Sequence, residues 1–204
     1  MNIPNPTYHR ILDAAQDLIQ VRGFNAFSYN DLSRTVGIKT ASIHYYFPRK
    51  DELGEALTRR YREQFNLVLT EISEQYPDAP SRIERYMEQF LATLGEDGKI
   101  CLCGMLAADY ETLPENVRTE IRTFFTENEA WLAAVLEQGR AEGVFVFETK
   151  ARDTARAFLS TLQGAMLTAR IFDDKDRLRV AAASWRKAVL GTANKVGKEN
   201  SSAT

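Results

Sequence analysis

Residues 28–53 read SYNDLSRTVGIKTASIHYYFPRKDEL, and this stretch decides the fold. Ser28 and Asp31 have the spacing of a capping box, in which a hydroxyl and a carboxylate pair with backbone N–H groups at the start of a helix. Gly37 predicts the end of that helix, because glycine adopts a left-handed conformation at little cost. A second short helix is predicted to begin near Thr40 and to end before the next proline. Two short helices joined by a glycine turn predict a helix-turn-helix.

The second of these helices carries many hydrogen-bonding side chains for its length. Its first turn faces the major groove in helix-turn-helix proteins, where Ser and Thr hydroxyls bind base edges or phosphates. Ala41 would pack on a thymine methyl group, and Ser28 would offer its backbone N–H to a phosphate. The alternatives are half-buried packing for Tyr45 and a plain solvated position for His44. The DNA contacts predicted in this way are Ser28, Lys39, Thr40, Ala41, Ser42, His44 and Tyr45.

The same stretch resembles the DNA-binding signature of the tetracycline-repressor (TetR) family. The resemblance is carried by Asp31-Leu32-Ser33, Gly37-Ile38, Ser42-Ile43, Tyr46-Phe47, Lys50, Glu52 and Leu53. It implies that Tyr46 and Lys50 contact phosphates, with half-buried packing as the alternative for Tyr46. It also implies a homodimeric repressor that binds a palindromic operator in double-stranded DNA and is released by a small-molecule effector. Arg49 departs from the family pattern, because a serine cap is common there, so the following helix should begin without a side-chain cap.

The composition is that of an ordinary globular protein. The chain has 204 residues, of which 44% are apolar and 26% charged, so it can bury a sizeable core. No apolar run approaches the 18 or more residues of a membrane span and no signal peptide opens the chain, so we expect a cytoplasmic protein with no membrane partner. No nucleotide-binding loop, metal-ligand cluster or Gly-x-Ser-x-Gly motif occurs, which argues against an enzyme and against a cofactor or bound metal.

The charge is unevenly distributed along the chain. The net charge is −2, yet residues 1–50 contain six Lys and Arg against three Asp, which is +3 and leaves −5 for the rest. Phosphate binding needs a positive face and not a positive protein. The split is therefore compatible with a DNA-binding N-terminal part, although an excess of three could also arise by chance.

Helical spacing of the apolar residues predicts an all-α fold of about nine helices. We predict a three-helix helix-turn-helix domain at residues 1–50, a larger effector-binding and dimerisation domain at 51–193, and a disordered tail at 194–204. A long helix from Lys50 to Glu74 would reach roughly 35 Å. It would therefore begin under the DNA-binding domain and end inside the larger domain, as a mechanical link.

Two further patterns lie in the larger domain. Ser81 and Glu84 have the spacing of a capping box, which predicts a helix beginning at Ser81. Residues 144–147, Val-Phe-Val-Phe, look like a strand. With no partner strand in the sequence, an extended connection is the favoured interpretation.

The family resemblance implies a small-molecule pocket among the fourth to eighth helices. Aromatic and sulfur-containing side chains are plentiful there, although stripes of this kind are more often core than pocket lining. Because few charges are obviously buried, the effector is predicted to be apolar or aromatic. The predicted lining residues are Phe65, Tyr86, Phe90, Cys101, Met105, Tyr110, Phe125, Trp131, Phe158, Leu162 and Met166.

The last two helices resemble the pair that forms the dimer in this family. Each carries a stripe of small and apolar residues that would let two protomers approach closely, with Trp185 as an anchor. Packing within one chain is the alternative. The predicted interface residues are Phe158, Leu162, Ala165, Ala169, Ala182, Trp185 and Val189.

The two cysteines allow a second hypothesis. Cys101 and Cys103 would point about 200° apart on a regular helix, so they do not easily bond to each other. The simpler interpretation is two small buried hydrophobic residues. The functional alternative is a redox or electrophile sensor on the same DNA-binding scaffold. It requires a lowered thiol pKa, and Lys99 is the visible cation nearby in the sequence.

Overall fold

The computed structural model describes residues 6–95 and 98–190. Within these ranges it contains nine α-helices and one short 3₁₀ turn, Tyr110–Thr112, and no strand, which confirms the predicted all-α fold. The predicted disordered tail at 194–204 lies outside the described residues. The helices are α1 Pro6–Arg22, α2 Tyr29–Val36, α3 Thr40–Tyr46, α4 Lys50–Gln75, α5 Ala79–Thr93, α6 Leu102–Ala108, α7 Glu115–Ala141, α8 Ala151–Phe172 and α9 Asp176–Val189.

The N-terminal core is built on α1, α2 and α3. Ile11, Leu32 and Ile43, one from each helix, are fully buried in a single apolar cluster. This cluster continues beyond α3, because Leu53 of α4 and Leu106 of α6 are buried in the same cluster. The apolar core of the N-terminal part therefore continues beyond residue 50. Residues from the beginnings of α4 and α7, together with Leu102 and Leu106 of α6, complete it.

The larger core is formed by α4, α5, α7, α8 and α9. An aromatic group lies at its centre, with Tyr86 stacked on Trp131 at 5.5 Å and Phe158 stacked on Trp185 at 3.7 Å between ring centroids. The hydroxyl of Tyr86 donates to Oδ1 of Asn128 at 3.0 Å, and both groups are buried. Helix α8 packs against both α7 and α9.

Helix α4 is the long connection that the sequence predicts. It has 26 residues, which is about 39 Å at the usual rise per residue. No side chain caps its start, as the arginine at position 49 predicts. The guanidinium of Arg49 instead pairs with Asp51 and Glu52 in the first turn of the helix.

The predicted start of α5 is wrong by two residues. Asp78 is the N-cap, and its carboxylate accepts from the backbone N–H of Ser81 at 2.8 Å. The helix begins at Ala79, because Pro80 in its first turn needs no hydrogen bond there. The 144–147 segment is a connection without strand pairing, as predicted. Within the described residues, no helix is both long and apolar enough to cross a membrane.

Candidate DNA-binding interface and effector cavity

The capping box at the start of α2 is present. The backbone N–H of Ser28 donates to Oδ2 of Asp31 at 2.8 Å, and the N–H of Asp31 donates to the hydroxyl of Ser28 at 3.3 Å. The Ser28 hydroxyl also donates to Oδ2 of Asp31 at 2.6 Å. This bond, the Ser28 backbone N–H and the neighbouring Arg34 guanidinium lower the pKa of Asp31 to about 2. Gly37 ends the helix at φ +74°, a conformation that favours glycine. The angle between α2 and α3 is therefore set by local hydrogen bonds and one glycine.

Helix α3 is held from below by buried aromatic residues. Ile43 and Phe47 are buried, and the hydroxyl of Tyr29 donates to the Phe47 carbonyl at 2.9 Å. Burial raises the pKa of Tyr29 to about 12, and the nearby carboxylates of Glu52 and Asp51 add to the effect. The phenol therefore stays protonated and keeps donating across the physiological range. The opposite side of α3 is free to face a partner.

Four predicted DNA contacts come together on that outer side. Ala41, Ser42, Tyr45 and Tyr46 line a shallow concavity of about 460 Å³. Tyr45 is 81% exposed, and its ring meets the Tyr46 ring edge-on at 5.1 Å. An exposed tyrosine of this kind is not held by packing and is available to DNA. Two further residues line it. Ile38 comes from the turn just before α3, and Thr7 was missed by sequence reasoning because only folding brings the start of α1 beside α3.

The other predicted DNA contacts differ in their exposure and in their contacts within the protein. Ser28 and Lys39 are exposed. The hydroxyl of Thr40 donates to Oδ1 of Asn30 at 3.1 Å. His44 is exposed, but its ring lies 4.7 Å from that of Tyr29 and its Nδ1 lies 3.3 Å from the Pro48 carbonyl oxygen. Its position is therefore set by packing and not by solvent alone.

The ammonium group of Lys50 contacts backbone carbonyls, whereas the family resemblance implies a contact with phosphate. Its ammonium donates to the carbonyls of Phe24 and Phe27, each at 2.6 Å. It also lies over both phenyl rings, 4.7 and 4.1 Å from their centroids. Burial lowers the pKa of Lys50, although Asp109 and Asp31 oppose the change. We therefore revise the predicted phosphate contact, since this ammonium ties the loop after α1 to the start of α4.

A cavity of about 290 Å³ lies between α6, α7 and α8 in the larger domain. Its apolar wall comes from Phe125 of α7 and from neighbouring aliphatic side chains, and its polar groups come from α7 and α8. The lining residues are Ile100, Gly104, Ala107, Phe125, Glu129, Arg156, Leu159, Ser160, Gln163 and Leu167.

Phe125 is the single predicted pocket residue that lines this cavity. Six of the others are buried core residues that pack in one cluster, namely Tyr86, Phe90, Cys101, Phe158, Leu162 and Met166. Phe65 packs at the edge of the same cluster, and the indole N–H of Trp131 donates to the Ser73 hydroxyl at 2.9 Å. Met105 lies against Arg170, and the Tyr110 hydroxyl accepts from Arg122 at 2.6 Å.

The predicted dimer residues face the inside of the chain. Six are buried within one protomer, namely Phe158, Leu162, Ala165, Ala169, Ala182 and Val189. The seventh, Trp185, is partly buried and stacks on Phe158. The stripes chosen for the interface are therefore the faces by which α8 packs on α7 and α9. The alternative of packing within one chain fits the structure better.

The outer face of α8 and α9 carries the exposed apolar surface instead. Ile171 is 73% exposed, and Leu167 lies one turn before it on the same side of α8. Val180 of α9 is also largely exposed. Small residues of the same two helices are exposed as well, namely Ala157, Ser160, Gly164, Ala183 and Ser184. We refer to this surface as the α8–α9 outer face. Sequence analysis missed it because its apolar residues are fewer than those of the inner stripe.

Both cysteines are reduced and buried. The hydroxyl of Tyr61 approaches the Cys101 sulfur at 3.7 Å. Burial raises the pKa of the Cys103 thiol well above its ordinary value. A buried thiol of this kind is poorly nucleophilic. Within the described residues, no group of three or more His, Cys, Asp or Glu side chains could hold a metal ion.

Hydrogen bonds join the DNA-binding part directly to the larger domain. The amide of Gln20 in α1 donates to the Ile100 carbonyl at 2.9 Å, and both residues are buried. The guanidinium of Arg170 in α8 donates to the carbonyl of Val21 near the end of α1. The carboxylate of Asp109 accepts from the backbone N–H of Phe24 at 2.9 Å. Three separate connections therefore meet the end of α1 and the loop after it.

A second network joins α4 to α7. Glu120 is buried and accepts from Arg59 at 2.9 Å and from Arg62 at 3.0 Å. Arg62 also donates to Glu127 at 3.0 Å, and the amide of Asn66 donates to the same carboxylate at 2.7 Å. The long helix is therefore joined to α7 by charged and amide groups, beside the packing of Tyr61 and Phe65 on Phe124.

Two family models match the chain. The model described as "Bacterial regulatory proteins, tetR family" matches residues 11–57, and the one described as "Tetracyclin repressor-like, C-terminal domain" matches residues 79–185. The regulator LmrA of Bacillus subtilis (strain 168) is 24% identical over 163 residues, which is 78% of this chain and 83% of LmrA.

Solved structures of the same kind are also similar. A TetR-family transcriptional regulator from Agrobacterium tumefaciens is 34% identical with a TM-score of 0.87, covering 90% of this chain and 97% of that one. A TetR transcriptional regulator from Legionella pneumophila is 33% identical with a TM-score of 0.83, covering 93% and 100%. The reduced form of E. coli NemR is 25% identical with a TM-score of 0.79, covering 90% and 97%.

Proposed function

Because this chain belongs to the tetracycline-repressor family of DNA-binding transcriptional regulators, we propose that it is a repressor released from a palindromic operator by a small molecule. The molecule would bind in the cavity between α6, α7 and α8. Members of the family bind DNA as dimers and bind small-molecule effectors. The specific steps proposed for this chain are the DNA contacts, the dimer surface and the route from cavity to DNA.

The observation that carries the proposal is the presentation of α3. Its inner face is buried and its outer face offers Ala41, Ser42, Tyr45 and Tyr46 together. Lys39 is exposed at the start of the same helix. Hydroxyl groups of this kind suit base edges and phosphates, while a lysine ammonium suits phosphates. We infer that α3 is the recognition helix and that Tyr45 is its most freely presented side chain.

The α8–α9 outer face supports a two-fold dimer. Exposed apolar residues at Leu167, Ile171 and Val180 would lose contact with water in such a dimer. Small exposed residues on α8, such as Ser160 and Gly164, would let two pairs of helices approach closely. A two-fold dimer would place two recognition helices in successive major grooves, about one helical turn of DNA apart.

Residues that line the cavity also contact the DNA-binding part and belong to the proposed dimer surface. Ile100 lines the cavity, and its carbonyl accepts from Gln20 of α1. Leu167 belongs to both the cavity lining and the α8–α9 outer face. A ligand in the cavity would therefore act on α1 and on the dimer surface at once. Release requires that the effector bind the DNA-free arrangement more tightly than the DNA-bound one.

The test is a salt-titrated gel shift of the full chain against DNA flanking its own gene. We expect sequence-selective binding that weakens steeply as salt rises. Tyr45→Ala should weaken specific binding by about 10- to 100-fold. The matched control is Leu67→Ala in α4, which removes another exposed side chain, at 65% exposure, far from α3 in the sequence. Absence of binding to any DNA at low salt would overturn the proposal.

A cysteine-based redox or electrophile sensor on the same scaffold is the second candidate. Its supporting observation is the contact between the Tyr61 hydroxyl and the Cys101 sulfur. Burial of both thiols argues against it, because oxidation favours an exposed thiolate. Mass spectrometry after mild peroxide treatment would separate the two. Rapid modification of Cys101 with parallel loss of DNA binding, absent in Cys101→Ser, would favour the sensor.

A further inference from the structure

The imidazole ring of His44 is oriented by two contacts within the protein. His44 lies on α3 and is exposed, and its ring meets the ring of Tyr29 in α2 edge-on, with the ring centroids 4.7 Å apart. Its Nδ1 atom lies 3.3 Å from the carbonyl oxygen of Pro48, just after the helix. Within residues 6–95 and 98–190, no hydrogen bond involves its Nε2 atom. The ring is therefore set from the protein side, and Nε2 remains for a partner outside the chain.

The carbonyl of Pro48 decides which ring nitrogen of His44 carries the proton. A carbonyl oxygen only accepts hydrogen bonds, so the contact is a hydrogen bond only when Nδ1 carries a hydrogen. A neutral imidazole has one N–H group, and the hydrogen bond made by one nitrogen fixes the state of the other. In the neutral ring Nε2 is therefore an acceptor and has no hydrogen to donate.

Thr40 offers a second acceptor on the same side of α3. It lies one helical turn before His44, so the two side chains share a face of the helix. Its hydroxyl donates to Oδ1 of Asn30 in α2 at 3.1 Å. A hydroxyl has a single hydrogen, so this bond leaves Thr40 with lone pairs alone for a further partner. The side of α3 nearest to α2 therefore presents two acceptors, and a base edge that faces it must supply the donors.

Few groups of double-stranded DNA can donate to an acceptor. Phosphate oxygens carry no hydrogen, so a neutral His44 with its proton on Nδ1 cannot bind them through Nε2. In the major groove the donors are the N6 amino group of adenine and the N4 amino group of cytosine. Guanine offers two acceptors there, and thymine offers one acceptor and a methyl group. A base edge is therefore the partner that this ring can hydrogen-bond, and the amino group selects which base.

Resting on the proposed function, we infer that Nε2 of His44 accepts a hydrogen bond from the exocyclic amino group of an adenine or a cytosine in the operator. His44 is then a specificity-determining residue and not a phosphate contact. Guanine or thymine at that position would place an acceptor against Nε2, which costs affinity because two acceptors cannot form a hydrogen bond with each other. The protein fixes this preference before DNA binds, because Pro48 already holds the proton on Nδ1.

The first experiment measures the tautomer in the DNA-free full chain. Long-range proton–nitrogen NMR correlations of the nitrogen-labelled protein distinguish a proton on Nδ1 from one on Nε2, at about pH 8, where an ordinary imidazole is neutral. The chain has two histidines, so His44→Ala assigns the signals and His9 serves as the internal comparison. We expect His44 to carry its proton on Nδ1. A proton on Nε2, or on both nitrogens, would overturn the inference.

The second experiment removes single amino groups from the DNA. The operator is selected from random-sequence DNA with wild type, and each adenine is then replaced by purine and each cytosine by pyrimidin-2-one, which lack the amino group. We expect one position in each half-site at which the replacement weakens wild-type binding by about five- to tenfold and leaves His44→Ala unaffected. The base at that position tells adenine from cytosine. His9→Ala, which removes the other exposed histidine, is the matched control and should keep the sensitivity.

The outcomes separate this inference from the proposed function. Sequence-selective binding in which no amino-group effect depends on His44 would overturn the inference and leave the proposed function standing. Effects that are lost in Thr40→Ala but kept in His44→Ala would assign the amino group to Thr40 and overturn the inference as well. An equal loss of affinity in His44→Ala for every sequence would indicate a phosphate contact and would also contradict it. Binding to no DNA at low salt would overturn the proposed function, and with it any role of His44 in reading bases.

Discussion

The DNA-binding part and the larger domain differ in how their functional surfaces are made. In the first, the bonds that orient α2 and α3 are local, such as the pair between Ser28 and Asp31. In the second, the cavity and the α8–α9 outer face are assembled from residues far apart in the chain, such as Gly104 beside Gln163. Local bonds can be read from spacing, whereas the second kind of contact cannot.

The same comparison explains which face of a helix is buried. Helix α3 packs on the rest of the protein with one side only. Ile43 and, just after the helix, Phe47 are therefore buried, and the polar residues face outward. Helix α8 has α7 and α9 on one side and the outer face on the other. Both sides carry apolar residues, and the richer stripe is the core. An apolar stripe in such a helix predicts a buried contact, but it does not distinguish packing within the chain from contact with a second protomer.

The largest expected effect is on the core of the larger domain. Phe158→Ala should lower the free energy of unfolding by about 3–5 kcal/mol, because the ring is fully buried and stacked on Trp185. Urea denaturation measures this. A folded variant that merely becomes monomeric would show that Phe158 is an interface residue, as the sequence pattern predicts, and not core.

The next effect concerns the α8–α9 outer face. Ile171→Glu should convert the proposed dimer to a monomer and weaken operator binding by about 100-fold, because a buried carboxylate opposes association. Light scattering and gel shifts measure the two results. Val146→Glu is the matched control, since Val146 is 63% exposed and lies outside that face. Equal behaviour of the two variants would remove the outer face as the dimer surface.

A smaller effect tests the revised role of Lys50. Lys50→Met should lower the free energy of unfolding by about 1–3 kcal/mol, because the carbonyls of Phe24 and Phe27 lose their donor. It should leave the salt dependence of DNA binding unchanged. Lys39→Met should instead reduce the salt slope by about one with little change in stability. A reduced salt dependence of DNA binding in Lys50→Met would instead support the phosphate contact that the family resemblance implies.

The smallest expected effect is the pH dependence of the capping box. The pKa of Asp31 is lowered from 3.8 to about 2, so the stability it contributes is fully present above about pH 4. That stability is lost as the pH falls through about 2. The difference in thermal midpoint between wild type and Asp31→Asn should therefore be greatest above about pH 4 and shrink towards pH 2. A difference independent of pH would contradict this.

Much of the DNA-binding part is predictable because its signals are short in sequence. The capping box, Gly37 and the uncapped start of α4 are confirmed. The exception is Lys50, whose partners are the carbonyls of Phe24 and Phe27, 26 and 23 positions away. Thr7 escapes prediction for the same reason. Contacts between residues so far apart in the sequence cannot be predicted from local spacing.

Most of the predicted pocket residues lie in the core of the structure, because aromatic side chains suit a protein core as well as they suit a ligand pocket. Tyr86, Phe90 and Phe158 fill the core, where large rings remove the most apolar surface from water. The cavity wall uses Phe125 together with smaller and polar residues that stand out in no sequence pattern. Gln163 in particular looks like any helical glutamine until Gly104 is placed beside it.

The sequence by itself determined the helices, the caps of the DNA-binding part and the resemblance that places the chain in its family, because backbone hydrogen bonds and caps connect neighbours a few residues apart. Only the tertiary structure decided which apolar stripe is core, where the cavity opens, and that Lys50 binds backbone carbonyls within its own domain. Those outcomes depend on which distant surfaces meet, since hydrophobic burial is non-directional and any apolar stripe can satisfy it. The Nε2 atom of Gln163, buried without an acceptor among the described residues, can be recognised only in the folded structure.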